Sequence, residues 1–346
     1  MHHLISRLVI LAVVLVADTA SAQWTWTPET GRFVNMDNLP KETPELQVEY
    51  TRTLLVGGDY SRAFEETDKF NEFYADSDFA DENQYLRGEI KLADEKYVVA
   101  AQEFQAVISK FPESDLYDQV IRKQYEIGDE LYARGEQRMS TRTARAMQES
   151  RYLRRLNFRA NRPFKKAVDV YTMVIENQPF TPEAAEAQYK IGKCNFARQQ
   201  YLDAGFEYRR VIEDYPDSEW VREASFDLTR CYEEAALDPD YDQAPAQLAM
   251  ESIAEFKRRF PEDSRVADRE AVSVKMNENI AEQRFRTAHH YEKRDDLDAA
   301  RIYYEITAYE FPGTEASTKA LEWIAQNPRQ NDLQSEFIGR AVAEAQ

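Results

Sequence analysis

The chain has 346 residues, 43% of them apolar, so it can bury a core, and its length allows two or three domains or one long repeat array. Only 10 residues are Gly, which argues against collagen, glycine-rich linkers and turn-dense all-β folds. The net charge of −19 argues against nucleic acid as a partner, because phosphate binding needs clustered positive charge, while two Cys and four His leave little for a disulfide scaffold or a multi-ligand zinc site.

Residues 1–22 read as a secretory signal peptide. Leu8 to Ala17 is an unbroken apolar run of ten, too short to cross ~30 Å of hydrocarbon as a helix. Ala20-Ser21-Ala22 supplies the small-x-small cleavage pattern; the alternative is an uncleaved anchor. The first Cys is Cys194, so lipidation beside the cleavage site is not expected, and no later apolar run is long enough to span a membrane. An exported protein without a transmembrane helix is therefore expected. Residues 23–44, with Trp24, Trp26, Pro28, Pro40 and Pro44, read as an extended leader.

From residue 45 a fixed spacing recurs. Gly88, Tyr97, Ala100, Phe104, Val107 and Pro112 fall at intervals of 9, 3, 4, 3 and 5, and Gly192, Tyr201, Ala204, Tyr208, Val211 and Pro216 repeat them. Phe164, Ala167, Tyr171, Val174 and Pro179 match from the second member on, as do Leu297, Ala300, Tyr304, Thr307 and Pro312, with Ala288 in place of the Gly. Weaker copies hold Tyr60, Ala63, Thr67 and Phe70, and Ala249, Ile253, Phe256 and Pro261. The small residue in a first helix and the Ala in a second let two backbones approach. The aromatic one turn further covers the contact, and the Pro stops the second helix. One such pair cannot bury its apolar face, so pairs stack. The spacing resembles the tetratricopeptide repeat. The expected fold is all-α, a right-handed superhelix of about six helix pairs with a basic helical insertion in the third. Residues 45–136 hold the N-terminal units, 137–162 the insertion, 163–325 the remaining array and 326–346 a polar tail.

Residues 134–166 contain nine Arg and two Lys against Glu136 and Glu149, a net +9 that leaves −28 for the rest. Arg142, Arg145, Arg151, Arg154, Arg155 and Arg159 alternate with apolar Met139, Met147, Leu153 and Leu156. This segment is either a solvated extension lying against the chain's own acidic surface or a docking surface for an acidic protein or an anionic membrane.

No catalytic constellation is found, and no cofactor or metal site is expected. His289 and His290 are adjacent and point ~100° apart on a helix, so they belong to a helix face. Asp238-Pro-Asp240-Tyr-Asp242 begins like a calcium loop but has Gln243 where Gly is needed and Ala249 where Glu is needed; Asp76-Ser-Asp78 fails likewise at Arg87. There is no phosphate loop and no nucleophile elbow. Cys194 and Cys231 occupy equivalent positions of successive repeats, as small packing residues or as a disulfide pair. Tyr85, Tyr125, Tyr189, Phe226 and Phe285 each precede the small position by three residues. They are either inter-helix packing or an aromatic ladder along a peptide-binding groove.

Four stretches are more specific: Gln178-Pro-Phe-Thr-Pro-Glu-Ala-Ala-Glu-Ala-Gln188; Cys231-Tyr-Glu-Glu-Ala235 running into Asp240-Tyr-Asp-Gln-Ala-Pro245; Ala281-Glu-Gln-Arg-Phe-Arg-Thr-Ala-His-His-Tyr-Glu-Lys-Arg294; and Phe311-Pro-Gly-Thr314. Through them, from about Pro163 to Ala325, the sequence resembles the BamD family, the repeat lipoproteins of the outer-membrane β-barrel assembly machinery. The resemblance implies a non-enzymatic periplasmic adaptor at the outer membrane. Its first repeats would receive unfolded β-barrel precursors and its last repeats would hold the barrel-inserting subunit. Tyr189 and Phe226 would lie near the precursor groove, and the helix bearing Phe285 and Tyr291 near the docking end. The sequence departs from the family in lacking the lipid-bearing Cys, in carrying extra repeats before residue 117 and in its Arg-rich insertion. The alternatives are a cell-division or peptidoglycan scaffold of the Tol–Pal-associated repeat type, whose N-terminal coiled coil has no heptad counterpart in residues 23–44, a general envelope interaction module, or the non-catalytic partner of an enzyme.

Overall fold

The computed structural model describes residues 24–27, 32–35, 39–146 and 161–328, with side chains at 39–140 and 161–328. The expected signal peptide, the Arg-rich residues 147–160 and the tail from 329 lie outside the described residues. The expected leader contains two short antiparallel strands, β1 (Trp24–Thr27) and β2 (Arg32–Asn35), in register Trp24↔Asn35 to Thr27↔Arg32. Everything else described is helix and turn, in two compact units that divide at Lys96/Tyr97.

The first unit holds α1 (Pro44–Val56), α2 (Tyr60–Phe73) and α3 (Ala80–Ala93), each packed on the other two. Thr43 caps α1 by accepting from the Leu46 N–H, and Pro44 takes the first helical position, where no amide donor is needed. Ala63, Thr67 and Phe70 of the weak sequence copy are fully buried. Polar groups are buried with them. Gln47 donates to the Glu66 carboxylate (2.7 Å) and the Glu66 carbonyl (3.1 Å), and Lys69 closes on the same carboxylate at 2.7 Å. Asn83 donates to Thr67 O and Asn71 Oδ1, and Arg87 to Thr67 Oγ1.

The second unit runs α4 (Tyr97–Lys110), α5 (Tyr117–Ala146), α6 (Arg162–Asn177), α7 (Pro182–Ala197), α8 (Tyr201–Asp214), α9 (Val221–Ala235), α10 (Ala244–Arg259), α11 (Val266–Glu292), α12 (Leu297–Glu310) and α13 (Glu315–Gln326), each packed on the next. The expected all-α array of tetratricopeptide-type pairs is thus found. From α5 to α12 the odd-numbered helices are the first and the even-numbered helices the second members of the pairs. Helix α5 does not stop at residue 136. Met139 to Ala146 contains helix formers and neither Gly nor Pro, so the helix continues for ten residues into the basic insertion.

The spacing in the sequence becomes ring-on-glycine packing. A Cβ on Gly192 would stand 2.6 Å from the Tyr208 ring, one on Gly128 2.5 Å from Tyr171, and one on Gly135 2.6 Å from Phe164. Only glycine lets these rings, all essentially buried, lie flat on the facing helix. Four connections turn on one residue with left-handed backbone, two positions before the second helix: Gly58 (φ 80°), Glu95 (56°), Gln199 (63°) and Asp295 (62°). Helix α4 is held differently, by an amide knot in which Gln105 and Asn177 exchange hydrogen bonds of 2.9 and 2.8 Å and Gln124 joins both.

At the far end α13 closes the array. Thr314 caps it, and Glu278 of α11 accepts from the Glu315 and Ala316 amides. Trp323 stacks on Tyr304 with centroids 4.4 Å apart, and its indole donates to Glu292 (2.8 Å).

Candidate functional site

In the second unit the first-helix aromatics recur as Tyr125 on α5, Tyr189 on α7, Phe226 on α9 and Phe285 on α11. Each meets a ring of the second helix in its own pair: Tyr171 at 5.9 Å, Tyr208 at 5.4 Å, Phe256 at 5.8 Å and Tyr304 at 5.4 Å between centroids. Tyr125, Phe226 and Phe285 stay half-buried, and Tyr189 is buried. Tyr85, also buried, sits on α3 in the first unit. Four of the five sequence candidates thus occupy corresponding positions along successive helices of one unit.

A second neighbour reaches back from the following first helix. Lys190 of α7 stands 4.5 Å above the Tyr125 ring, bonds Asp129 at 2.7 Å and pairs with Glu186 at 3.0 Å. Tyr189 donates to Asp227 of α9 (2.8 Å). Arg265, just before α11, lies 4.1 Å from the Phe226 centroid while gripping Glu223 and Asp263, and Arg269 approaches the same ring at 5.4 Å. These partners were not among the sequence candidates. For two of them there was a signal: Lys190 and Asp227 directly follow Tyr189 and Phe226, so the residue after each aromatic finishes the aromatic one repeat earlier.

The electrostatics follow this geometry. Burial first, and the Asp227 carboxylate second, push the Tyr189 phenol up; burial and then Glu186 do the same to Tyr125. The Arg265 side chain, hydrogen-bonded to Asp263, holds that carboxyl down at about 2. The face is therefore a row of neutral phenols and phenyl rings set among fixed ion pairs. Tyr125 and Phe226 are half-buried beside these cations and carboxylates, and Phe285 is half-buried as well.

The remaining sequence candidates separate. Cys194 and Cys231 are free and buried, and burial pushes the Cys194 thiol up to about 12 and Cys231 up as well, so neither is a thiolate near neutral pH. His289 and His290 are exposed at the end of α11, where His289 Nδ1 lies 2.9 Å from Glu292. Gln243, at the position a calcium loop needs as Gly, instead donates to the Asp238 and Tyr241 carbonyls and closes its own loop. Among the described residues there is no cluster of three His, Cys, Asp or Glu that could hold a metal, and no helix long and apolar enough to cross a membrane. Arg142 and Arg145 fall in the last turns of α5, whereas Arg151, Arg154, Arg155 and Arg159 lie outside the described residues.

Comparison with known proteins gives a family. The family described as YfiO, outer membrane lipoprotein, matches residues 146–337, more than half of the chain. A relative from Caulobacter vibrioides, "Outer membrane protein assembly factor BamD", is 23% identical over 137 residues, which cover 40% of this chain and 45% of the relative. The chain thus matches less than half the length of that relative. Among solved structures, the type IV pilus biogenesis factor PilW is 14% identical, with 81% of this chain and 99% of that one covered and a TM-score of 0.27. A tetratricopeptide repeat protein from Parabacteroides merdae is 12% identical, with 81% and 97% covered and a TM-score of 0.30. With its family match running from the end of α5 past α13, this helical-repeat chain belongs to the YfiO family of outer membrane lipoproteins.

Proposed function

We propose that the chain is a non-enzymatic periplasmic adaptor in outer-membrane β-barrel protein assembly. It binds extended precursor segments and a partner subunit of the assembly machinery. The observation that carries this is the family match over residues 146–337, together with the name borne by the Caulobacter relative. The signal-peptide pattern of residues 1–22 supports export, and the family match supports a peripheral position at the outer membrane.

The peptide contact falls on the first-helix face at Tyr125, Tyr189, Phe226 and Phe285, with Tyr85 as its counterpart in the first unit. Half-buried rings flanked by Lys190, Arg265 and Arg269 suit a segment that alternates apolar and polar side chains, because each ring meets one and each ion pair the other. The arginines Arg142, Arg145, Arg151, Arg154, Arg155 and Arg159 form a docking element for an acidic partner or an anionic membrane face.

Affinity purification of the tagged chain from envelope extracts tests the role. Recovery of a barrel-inserting protein is expected; recovery of division or peptidoglycan proteins instead overturns it. Arg→Glu changes at Arg151, Arg154 and Arg155 should abolish retention on anionic vesicles and on the acidic partner, with helical content unchanged by circular dichroism.

A further inference from the structure

A polar and apolar surface runs from Tyr125 to the turn where α6 meets α7. Phe180 projects there almost wholly into solvent, 94% exposed, between Pro179 and the Thr181 cap of α7. A cleft opens on each side of this ridge. One, of about 420 Å³, lies against α5 and carries Asp118, Glu126 and Glu183. The other, of about 470 Å³, has a floor of Tyr215, Pro216 and Trp220 and a rim of Asp214, Asp217 and Glu219. Trp220 is held rigid by stacking on Tyr189, with centroids 4.9 Å apart and planes 22° apart. Six carboxylates thus line the clefts around an exposed phenyl ring and a stacked indole; Glu126 is paired with Lys123 and Asp214 with Arg210, and Arg122 is the one lining cation. Asp217 and Glu219 make no ion pair among the described residues.

The matching chemistry is a segment that interleaves Arg with apolar residues. One stretch of this chain has it: Arg151, Leu153, Arg154, Arg155, Leu156, Phe158 and Arg159, inside the only strongly basic region of an otherwise acidic sequence. Within one molecule it cannot reach. From Asp118 to Ala146 along α5 is about 42 Å, and the return along α6 from the ridge to Arg162 is about 24 Å at ~1.5 Å per residue. The residues that join Ala146 to Arg162 span at most ~58 Å when fully extended.

We infer that the Phe180 ridge and its two acidic clefts receive the Arg-rich segment of a second copy of this chain. The inference rests on the reading of that segment as a docking element and names its acidic partner. Phe180 and Trp220 hold the apolar side chains, and Asp217, Glu219 and Glu183 pair with the arginines. A single contact of this kind leaves the acceptor of one copy and the donor of the other free.

Sedimentation velocity of the purified full chain tests this. Association that strengthens as salt is lowered is expected. A donor variant with Arg151→Glu, Arg154→Glu and Arg155→Glu, and an acceptor variant with Asp217→Lys and Glu219→Lys, should each associate about ten-fold more weakly. Mixed together they should form a one-to-one pair and nothing larger, because each keeps the half the other lacks. Phe180→Ser should weaken association without changing charge. A wild-type chain that stays monomeric at low salt overturns the inference, as does a mixture that fails to pair. If that happens while the donor variant loses vesicle retention and the acceptor variant keeps it, the docking role of the arginines stands and only the second-copy partner falls.

Discussion

The first unit and the α5–α8 stretch of the second are both stacks of antiparallel helices, but they are joined by different chemistry. In the first unit, Gln47, Glu66, Lys69, Thr67 and Asn83 cross the helix contacts as a hydrogen-bonded amide and carboxylate network. From α5 onward, Tyr171, Phe164 and Tyr208 lie flat on Gly128, Gly135 and Gly192. The network gains little net energy per bond but penalises any misalignment, since a displaced partner leaves a buried donor or charge unpaired. Ring-on-glycine contacts gain area and dispersion and are punished by volume instead. The same architecture is thus held by direction at one place and by shape at another.

The largest effect expected from breaking this contrast is at Tyr208. Tyr208→Ala removes a fully buried ring and leaves a cavity over Gly192, at a cost of about 3–5 kcal/mol. In a repeat array that loss is local, so hydrogen exchange should accelerate in α7 and α8 before α12. Gly192→Ala attacks the same contact from the other side. With the new Cβ 2.6 Å from the ring, overpacking costs about 1–3 kcal/mol, of which alanine's roughly 1 kcal/mol helix advantage recovers part. Gly205→Ala sharpens the point: its Cβ would meet Tyr232 at 3.3 Å, and urea unfolding should show it near neutral or stabilising. In the first unit Gln47→Leu keeps the volume and deletes the direction. It should cost about 1–3 kcal/mol by leaving Glu66 short of a donor, and the loss should shrink when Glu66→Gln is added.

Two smaller effects concern the ends of the pairs. Gln199→Gly should stabilise by about 1 kcal/mol, because glycine adopts the left-handed turn without the Cβ clash; Gly58 already has it, so Gly58→Gln should cost the same. Glu292 is held below the usual carboxylate range by hydrogen bonds from His289, Tyr304 and Trp323. A lowered folded-state value means this contribution is present above the ordinary Glu pKa and is lost as pH falls through the folded one. With a third of its side chain exposed, Glu292 contributes under about 1 kcal/mol, read as faster hydrogen exchange in α13 on acidification, an effect Glu292→Gln should abolish.

The Tyr208 contact was legible in the sequence because Gly192 and Tyr208 sit 16 residues apart in the Gly–Tyr–Ala–Tyr spacing. Gly128 against Tyr171 and Gly135 against Phe164 have no such spacing, because each pair belongs to two helices separated by the Arg-rich segment. The polar network of the first unit left no periodic trace, since a Gln or Asn at a helix contact looks the same in sequence as one at the surface. The Phe180 clefts depended on loops from two different repeats meeting in space. The candidate aromatics were legible as positions, but their partners Arg265 and Arg269 lie at the start of a helix whose extra length breaks the register of the repeats.

The reach-back of Lys190 to Tyr125, and of Asp227 to Tyr189, has a consequence for cutting the chain. The pairs α5–α6, α7–α8 and α9–α10 are each finished by their successor, so truncation at a tidy linker between them still leaves a wound. A fragment ending near residue 180 would bare Tyr125 and leave Asp129 with Tyr171 but without its Lys190 cation, and one ending near residue 218 would bare Tyr189. Only a break followed by a closing helix of the α13 kind, with its own Trp323 to lay over the last ring, would leave a shortened array with a finished end.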